Sequence, residues 1–247
     1  MKNLRVYNTE TERTADISNM SLPYVQVVRD TDYNIFGNGA GAYIQDGLVF
    51  QLDGIHKGPT TNAWTDLVGG HVFTNTGCIP LVKGWLINNT TSTYNSLRNT
   101  DTLAFGSGSY ATHTIEIVYN TALTRGQILF LPKTANSIIF CIASNKYFYL
   151  RSSTAQKLYA TPNQSSPSGL HTVSLNINGG LIDGTTFLSQ VSNTDYFGVG
   201  SWNGIGARST NATYSFNGII YAIRVYNRLL SAEEMTHNQK EDIRRFF

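Results

Sequence analysis

The stretch FNGIIYAIRVYNRLLSAEE at positions 216–234 decides the architecture, because it joins a two-faced strand directly to a capped helix. Ile219, Tyr221, Ile223 and Val225 fall on one side of a two-residue alternation, and Ile220, Ala222, Arg224 and Tyr226 on the other. That is the pattern of a sheet strand covered on one side. The alternation stops at Asn227. Ser231 and Glu234 then stand at the spacing where a hydroxyl caps a helix start and the glutamate reaches back to the cap's own N–H. The segment reads as the last strand of a β-domain followed by a short C-terminal helix.

Working outward, Ile115, Ile117 and Tyr119 alternate with their neighbours, as do Val173, Leu175 and Ile177. Apolar runs at 127–131, 137–142 and 146–150 predict a meander, and 46–55 predicts the opening strand of the domain. Asn178-Gly179 and Asp183-Gly184 predict hairpin turns, whose positive φ angles glycine accepts without cost. Many antiparallel strands with one helix at the end imply two packed sheets, an all-β antiparallel jelly-roll sandwich.

The composition agrees. Of 247 residues, 41% are hydrophobic and only 14% charged, with 22 glycines and 14 tyrosines, which suits short strands with neutral polar faces and frequent turns. The net charge of +2, from 18 basic and 16 acidic groups, is too balanced to draw nucleic acid or anionic lipid by field alone. Neither a nucleic acid nor a membrane is an expected partner. The N-terminal residues lack the apolar run of an export signal, so the expectation is a cytosolic product. In that compartment Cys78 and Cys141 are expected as buried free thiols. No cofactor motif and no metal-ligand spacing is present, so neither a cofactor nor a metal is expected.

Residues 1–42 differ from the rest. Leu4, Val6 and Tyr7 suit a strand, Thr9 and Glu12 stand at capping-box spacing, and Tyr24, Val25 and Val27 suit a second strand behind Pro23. So small a strand–helix–strand unit buries little apolar surface, and it is expected to lean on another surface and serve assembly. GNGAGA at 37–42 is mis-spaced for a dinucleotide loop and reads as a hinge. The expected division is therefore 1–42 as attachment segment and 43–247 as sandwich.

GLVFQLDGI at 47–55 with WTDL at 64–67, YATHTIEIVYN at 110–120, GLHTVSLNINGGLIDGTTF at 169–187 and the stretch at 216–234 occur in the order of corresponding motifs in laminin-G-like domains. The chain resembles that family, within the concanavalin A-like lectin and glucanase superfamily, over 46–245. The resemblance implies the same sandwich fold. It also implies a rim calcium site in many relatives, but Tyr221 stands where they carry an aspartate, and a site wanting about six to eight oxygens loses one. The segment ETERTADISNMSLPYVQVVRDTDYNIF at 10–36 resembles a unit at the front of bacteriophage virion proteins. That resemblance implies other virion proteins as partners, a virion-surface location and a homo-oligomer.

Glucanases of the superfamily use two carboxylates on alternate residues of one strand, about 5–5.5 Å apart. Here Glu116 is followed by Val118 and Thr121, so it is expected to be an outward-facing charge without a partner carboxylate, and the protein to be no enzyme. His171, on a strand, is expected to be structural. Binding is the remaining class. Sugars are held by aromatic faces and by amides and charged groups on loops. Trp202, Tyr196, Asn203 and Arg208 lie among the glycines of 195–211, and Trp85 and Tyr94 lie in or beside an Asn- and Thr-rich stretch. These six are the expected carbohydrate contacts, with Trp64 in the core. The overall expectation is a virion decoration or fibre protein displaying a sandwich to host glycans. The alternatives are a module or enzyme acting on carbohydrate, and a structural cement protein.

Overall fold

The computed structural model describes residues 4–7, 25–28, 43–57, 62–89, 94–103, 113–121, 127–128, 130–132, 139–142, 147–151, 156–160, 169–176, 179–187, 202–206 and 216–247. The chain divides into two compact units, Met1–Gln45 and Asp46–Phe247. In the first, β1 (Leu4–Tyr7) and β2 (Val25–Val28) pair in parallel, Leu4 opposite Val25 and Tyr7 opposite Val28. Tyr24 and the expected helix after Thr9 lie outside the described residues. Parallel pairing needs a crossover of about a dozen residues or more, and 8–24 supply that length.

The second unit opens with β3 (Leu48–Asp53), β4 (Ala63–Thr65), β5 (Val72–Thr76), β6 (Ile79–Pro80), β7 (Trp85–Ile87) and β8 (Ser96–Leu103). It continues through β9 (Thr114–Thr121), β10 (Gln127–Ile128), β11 (Phe130–Pro132), β12 (Ile139–Ile142), β13 (Tyr147–Arg151) and β14 (Gln156–Ala160). The last strands are β15 (Gly169–Asn176), β16 (Gly179–Ile182), β17 (Thr185–Phe187), β18 (Trp202–Ile205) and β19 (Gly218–Tyr226), followed by helix α1 (Ala232–Phe246). One sheet runs β17-β16-β15-β9-β19-β7-β6, with β3 also on β19, and a second runs β11-β18-β8-β5-β4. The meander forms its own sheet, β10-β12-β13-β14. All strand pairs of this unit are antiparallel among the described residues. The architecture is the expected all-β sandwich with one C-terminal helix.

The core lies between the two larger sheets. Phe50, Ile115, Ile117, Tyr119, Val173, Leu175, Ile220, Ile223 and Val225 from one sheet meet Trp64, Phe73, Leu97 and Ile205 from the other. Two aromatic pairs bridge the layers, Phe50 to Phe73 at 5.9 Å edge-on and Trp64 to Trp85 at 6.4 Å. Trp64 is buried as expected, and its indole N–H donates to the Asp53 carbonyl at 2.9 Å. Cys78 is a buried free thiol, and burial pushes its pKa up to about 12.

The decisive strand departs from simple alternation. Ile220 is registered against Tyr119 and Ala222 against Val118, so Tyr221 is an extra residue, a bulge. The bulge moves Ile220 onto the core side with Ile223 and Val225, and leaves Ala222, Arg224 and Tyr226 on the opposite face. Gly54 allows the close approach this needs. Its N–H donates to the Tyr221 carbonyl at 2.7 Å, and a Cβ there would collide with the Lys83 carbonyl. At the β16–β17 turn, Asp183 and Gly184 have φ of 51° and 76°, both positive as the predicted hairpin demands. At the other predicted turn Gly179 is the first residue of β16, paired with Asn176, and Asn178 lies outside the described residues.

Helix α1 covers the outer face of β9, β15 and β19. Both halves of the Ser231–Glu234 capping box form, and Glu234 also takes two hydrogen bonds from Arg228, at 2.7 and 2.9 Å. Acidic Glu233 and Glu234 open the helix and basic Arg244 and Arg245 close it, as the helix dipole favours. The face turned to the sheet is largely polar: Asn238, Gln239, Asp242 and Arg245 are buried beside Met235 and Phe246.

Beneath it, Arg224 donates from Nε to Glu116 Oε2 at 2.8 Å and from Nη1 and Nη2 to the two Asp242 oxygens at 2.8 and 2.6 Å. Asn238 Nδ2 donates to Glu116 Oε2 at 2.9 Å, and the Ser174 hydroxyl donates to Glu116 Oε1 at 2.9 Å. Thr172 donates to Asp242 at 2.8 Å. The expectation for Glu116 is corrected. It is 1% exposed rather than outward-facing, and a second carboxylate, Asp242, shares its arginine. The partner comes from the helix, more than a hundred residues along the chain, which no inspection of β9 alone reveals. Burial pushes the Glu116 carboxyl up, against the pull of Arg224.

Two outcomes follow for stability. Arg224→Met leaves two buried carboxylates without their cation and is expected to cost about 3–5 kcal/mol in denaturant unfolding. The second outcome concerns Glu234, whose pKa is lowered from 4.5 to about 2, first by its hydrogen bonds from Arg228. A depressed carboxyl stabilises the fold above its unfolded value, and that contribution is lost as pH falls from about 4.5 toward 2. Melting curves of the native chain and Glu234→Gln should therefore differ at neutral pH and converge near the acid limit.

Candidate functional site

While α1 covers one outer face of the sandwich, the five-stranded sheet turns exposed side chains outward. Phe73 and Leu97 point into the core, so the intervening residues of β5 and β8 point the other way. Val72, Thr74, Thr76 and Thr100 are exposed, and Arg98 is half-buried among them. Thr74 is registered directly against Arg98 and Thr76 against Ser96. Arg98 Nε donates to the Ser96 hydroxyl at 3.2 Å, which orients the guanidinium along the face. Burial lowers the Arg98 pKa from its ordinary value.

Tyr94 stands at the end of this face, 37% exposed. The loop behind it is held by amides. Asn95 N–H donates to Asn89 Oδ1 at 2.5 Å, and Asn95 Nδ2 donates to the Asn88 carbonyl at 2.8 Å. Asn89 Nδ2 donates to the carbonyls of Asn95 at 3.2 Å and Phe216 at 2.9 Å, which fastens the loop to the start of β19. Asn75 closes the neighbouring turn, exchanging hydrogen bonds with Cys78 at 2.8 Å each. An aromatic ring beside amides, hydroxyls and one guanidinium can stack on a sugar ring and pair with its hydroxyls.

The expected contacts fare unequally. Trp85 is corrected: it is 0% exposed and packs on Trp64 in the core, because β7 is an interior strand between β6 and β19. Tyr94 is exposed as a contact must be. Trp202 and Asn203 belong to strand β18 rather than a loop, with Trp202 registered against Leu103 and Pro132. Tyr196 and Arg208 lie outside the described residues. Arg98 and the threonines of β5 went unremarked in the sequence. The signal was there, since VFTNT and SLRNTDTL alternate polar and apolar residues.

Other chemistry-bearing groups are accounted for by the fold. His171 Nδ1 lies 2.7 Å from Asp183 Oδ2, and Asp183 Oδ1 accepts the Thr172 N–H at 2.9 Å, so the pair fastens β15 to the β16–β17 turn. Asp66 accepts three backbone N–H groups, from Gln51, Val68 and Gly69, while burial raises its pKa. Tyr221 packs its ring on Phe246 at 5.8 Å. Among the described residues no group of three His, Cys, Asp or Glu gathers for a metal ion, and no helix is long and apolar enough to cross a membrane.

No family model and no curated protein matches this sequence. Solved structures do share its fold. A mutant Trypanosoma rangeli sialidase displaying trans-sialidase activity aligns at TM-score 0.53 and 14% identity, over 84% of this chain and 35% of that one. A variant of HCR/D aligns at TM-score 0.56 and 13% identity, over 81% and 53%. Domain 4 of AbnA, a GH43 extracellular arabinanase from Geobacillus stearothermophilus, in complex with arabinotriose, aligns at TM-score 0.51 and 14% identity, over 78% of this chain and 98% of that one. This chain thus spans only about a third of the sialidase. Such identities fix the β-sandwich fold alone. Against the expectation that the protein is no enzyme, that fold is one shared with sialidases and with a domain of an arabinanase.

Trp85→Ala is expected to cost about 3–5 kcal/mol of stability through the cavity it leaves in the core. Thermal unfolding measures that loss, and a variant that melts like the native chain would return Trp85 to the surface.

Proposed function

We propose that the sandwich is a carbohydrate-binding unit of a protein that acts on or attaches to glycans, and that the outward face of the five-stranded sheet receives the sugar chain. The observation that carries this reading is the exposed Tyr94 at the end of a face lined by Thr74, Thr76, Arg98 and Thr100. The fold shared with an arabinanase domain in complex with arabinotriose supports it. Trp202 and Asn203, on β18 of the same sheet, are proposed as further contacts, with Tyr196 and Arg208 in the flanking segments. A hydrolytic role within the same protein is compatible with this reading.

A glycan array followed by calorimetry on Tyr94→Ala tests the proposal. Loss of a stacking ring should weaken binding by roughly tenfold or more, with the melting temperature unchanged because the ring is exposed. Binding that survives the substitution intact would remove Tyr94 and its face from the reading.

A second reading concerns display. The separate unit Met1–Gln45 favours a role for residues 1–42 in attachment, in line with the resemblance of that segment to bacteriophage virion proteins. On this reading Leu4, Val6, Tyr7, Tyr24, Val25 and Val27 dock the chain, as a homo-oligomer, onto other virion proteins. A chain lacking residues 1–42 should then keep its melting transition and its glycan binding while failing to join particles. Unfolding of that truncation, or normal incorporation, would overturn the reading.

A further inference from the structure

We infer that Ser174 and Gln239 are a self-modification site: the Ser174 hydroxyl attacks the Gln239 side-chain amide, ammonia leaves, and an ester bonds β15 to helix α1. The site lies under the helix, apart from the sheet face assigned to sugar.

Four groups meet there at one buried point. Ser174 is registered against Glu116 on β9 and against Leu181 on β16, and its side chain falls on the face that α1 covers. Side chains directly opposed on one face of a sheet are near neighbours. The Ser174 hydroxyl accordingly donates to Glu116 Oε1 at 2.9 Å, while Arg224 and Asn238 hold the other oxygen, Oε2. From the helix, Gln239 Nε2 donates to Ser174 Oγ at 3.1 Å and to the Leu181 carbonyl at 3.1 Å. Gln239 Oε1 accepts the Gly184 N–H at 2.5 Å. Ser174, Glu116 and Gln239 are 0%, 1% and 1% exposed.

Each group has a part in acyl transfer. A hydroxyl beside a carboxylate is a weak oxygen nucleophile with its base in place. Burial pushes the Glu116 carboxyl up, which makes its charged form the stronger base. An N–H already aimed at the amide oxygen polarises the carbonyl and receives the charge that develops on it. The fold holds the partners together, so the step needs no encounter. Ser174 Oγ gives its proton to Glu116 and bonds to the amide carbon of Gln239, whose carbonyl electron pair moves onto Oε1. When the tetrahedral centre collapses, the bond from that carbon to Nε2 breaks, the proton passes from Glu116 to the departing nitrogen, and ammonia leaves. Glu116 ends as it began, and no co-reactant enters. Burial then shields the ester from water. The bland alternative is a hydrogen-bond network that only docks the helix. That role leaves both side chains unmodified, so mass distinguishes the two.

The full chain is unfolded and weighed by intact mass spectrometry, and its tryptic digest is searched for peptides 158–208 and 229–240 joined to each other. The expected result is a joined pair one ammonia lighter than the sum of its parts, with the link placed at Ser174 and Gln239 by fragmentation. Hydroxylamine, which cleaves esters, should separate the pair and leave a hydroxamate on Gln239. Ser174→Ala and Glu116→Gln should each yield the two peptides unjoined. A native chain whose two peptides occur only separately overturns the inference, as does a link that resists hydroxylamine or persists in Ser174→Ala. The first of these readouts uses the native chain, so it decides the matter even where a variant fails to fold.

Discussion

Arg224 is the tie on which the sandwich and its helix depend. A guanidinium with 1% exposure sits between Glu116 on the adjoining strand and Asp242 on the helix, using Nε for one and the paired Nη atoms for the other. Such a group is costly to bury and pays its way only when its donors and the acceptors facing it are satisfied. That condition explains the company around it. Asn238, Ser174 and Thr172 supply the remaining hydrogen bonds to the two carboxylates, and Gln239 extends the network to Ser174 and the Leu181 carbonyl. A polar interface of this kind fixes one helix position, because sliding the helix by a turn would strand every member.

The helix therefore does more than end the chain. It covers the middle strands of the eight-stranded sheet with buried polar groups, and a second ion pair, Arg245 to Asp53 at 2.5 Å, fastens its far end. The bulge at Tyr221 belongs to the same arrangement. It lets β19 present Ile220 to the core and Arg224 to the helix within one strand, while Tyr221 itself meets Phe246. The exposed threonines of the five-stranded sheet, with Tyr94 just before β8, lie on a different surface from the one the helix covers.

The fold was legible in the sequence because its signals are local. Alternation in β9, β15 and most of β19, turn residues at Asp183-Gly184, and the Ser231–Glu234 box each act within a few residues. The bulge was hidden because a single extra residue leaves the composition of a strand unchanged and appears only in its pairing register. The site was legible in part. Tyr94 could be found as an aromatic in a polar stretch, whereas Trp85 in similar company is core. Both are aromatics near asparagines, and only the strand order separates them.

The sequence by itself determined the class of fold, the capped terminal helix, the buried Trp64 and the neutral charge balance, since each follows from short-range spacing or from composition. Tertiary structure alone decided that Glu116 is buried with Asp242 as a second carboxylate, that Trp85 is inaccessible, and that the threonines of β5 are exposed. The reason is distance along the chain: Glu116, Arg224 and Asp242 come from two strands and a helix, and only the packing of those elements brings their charges within hydrogen-bond reach.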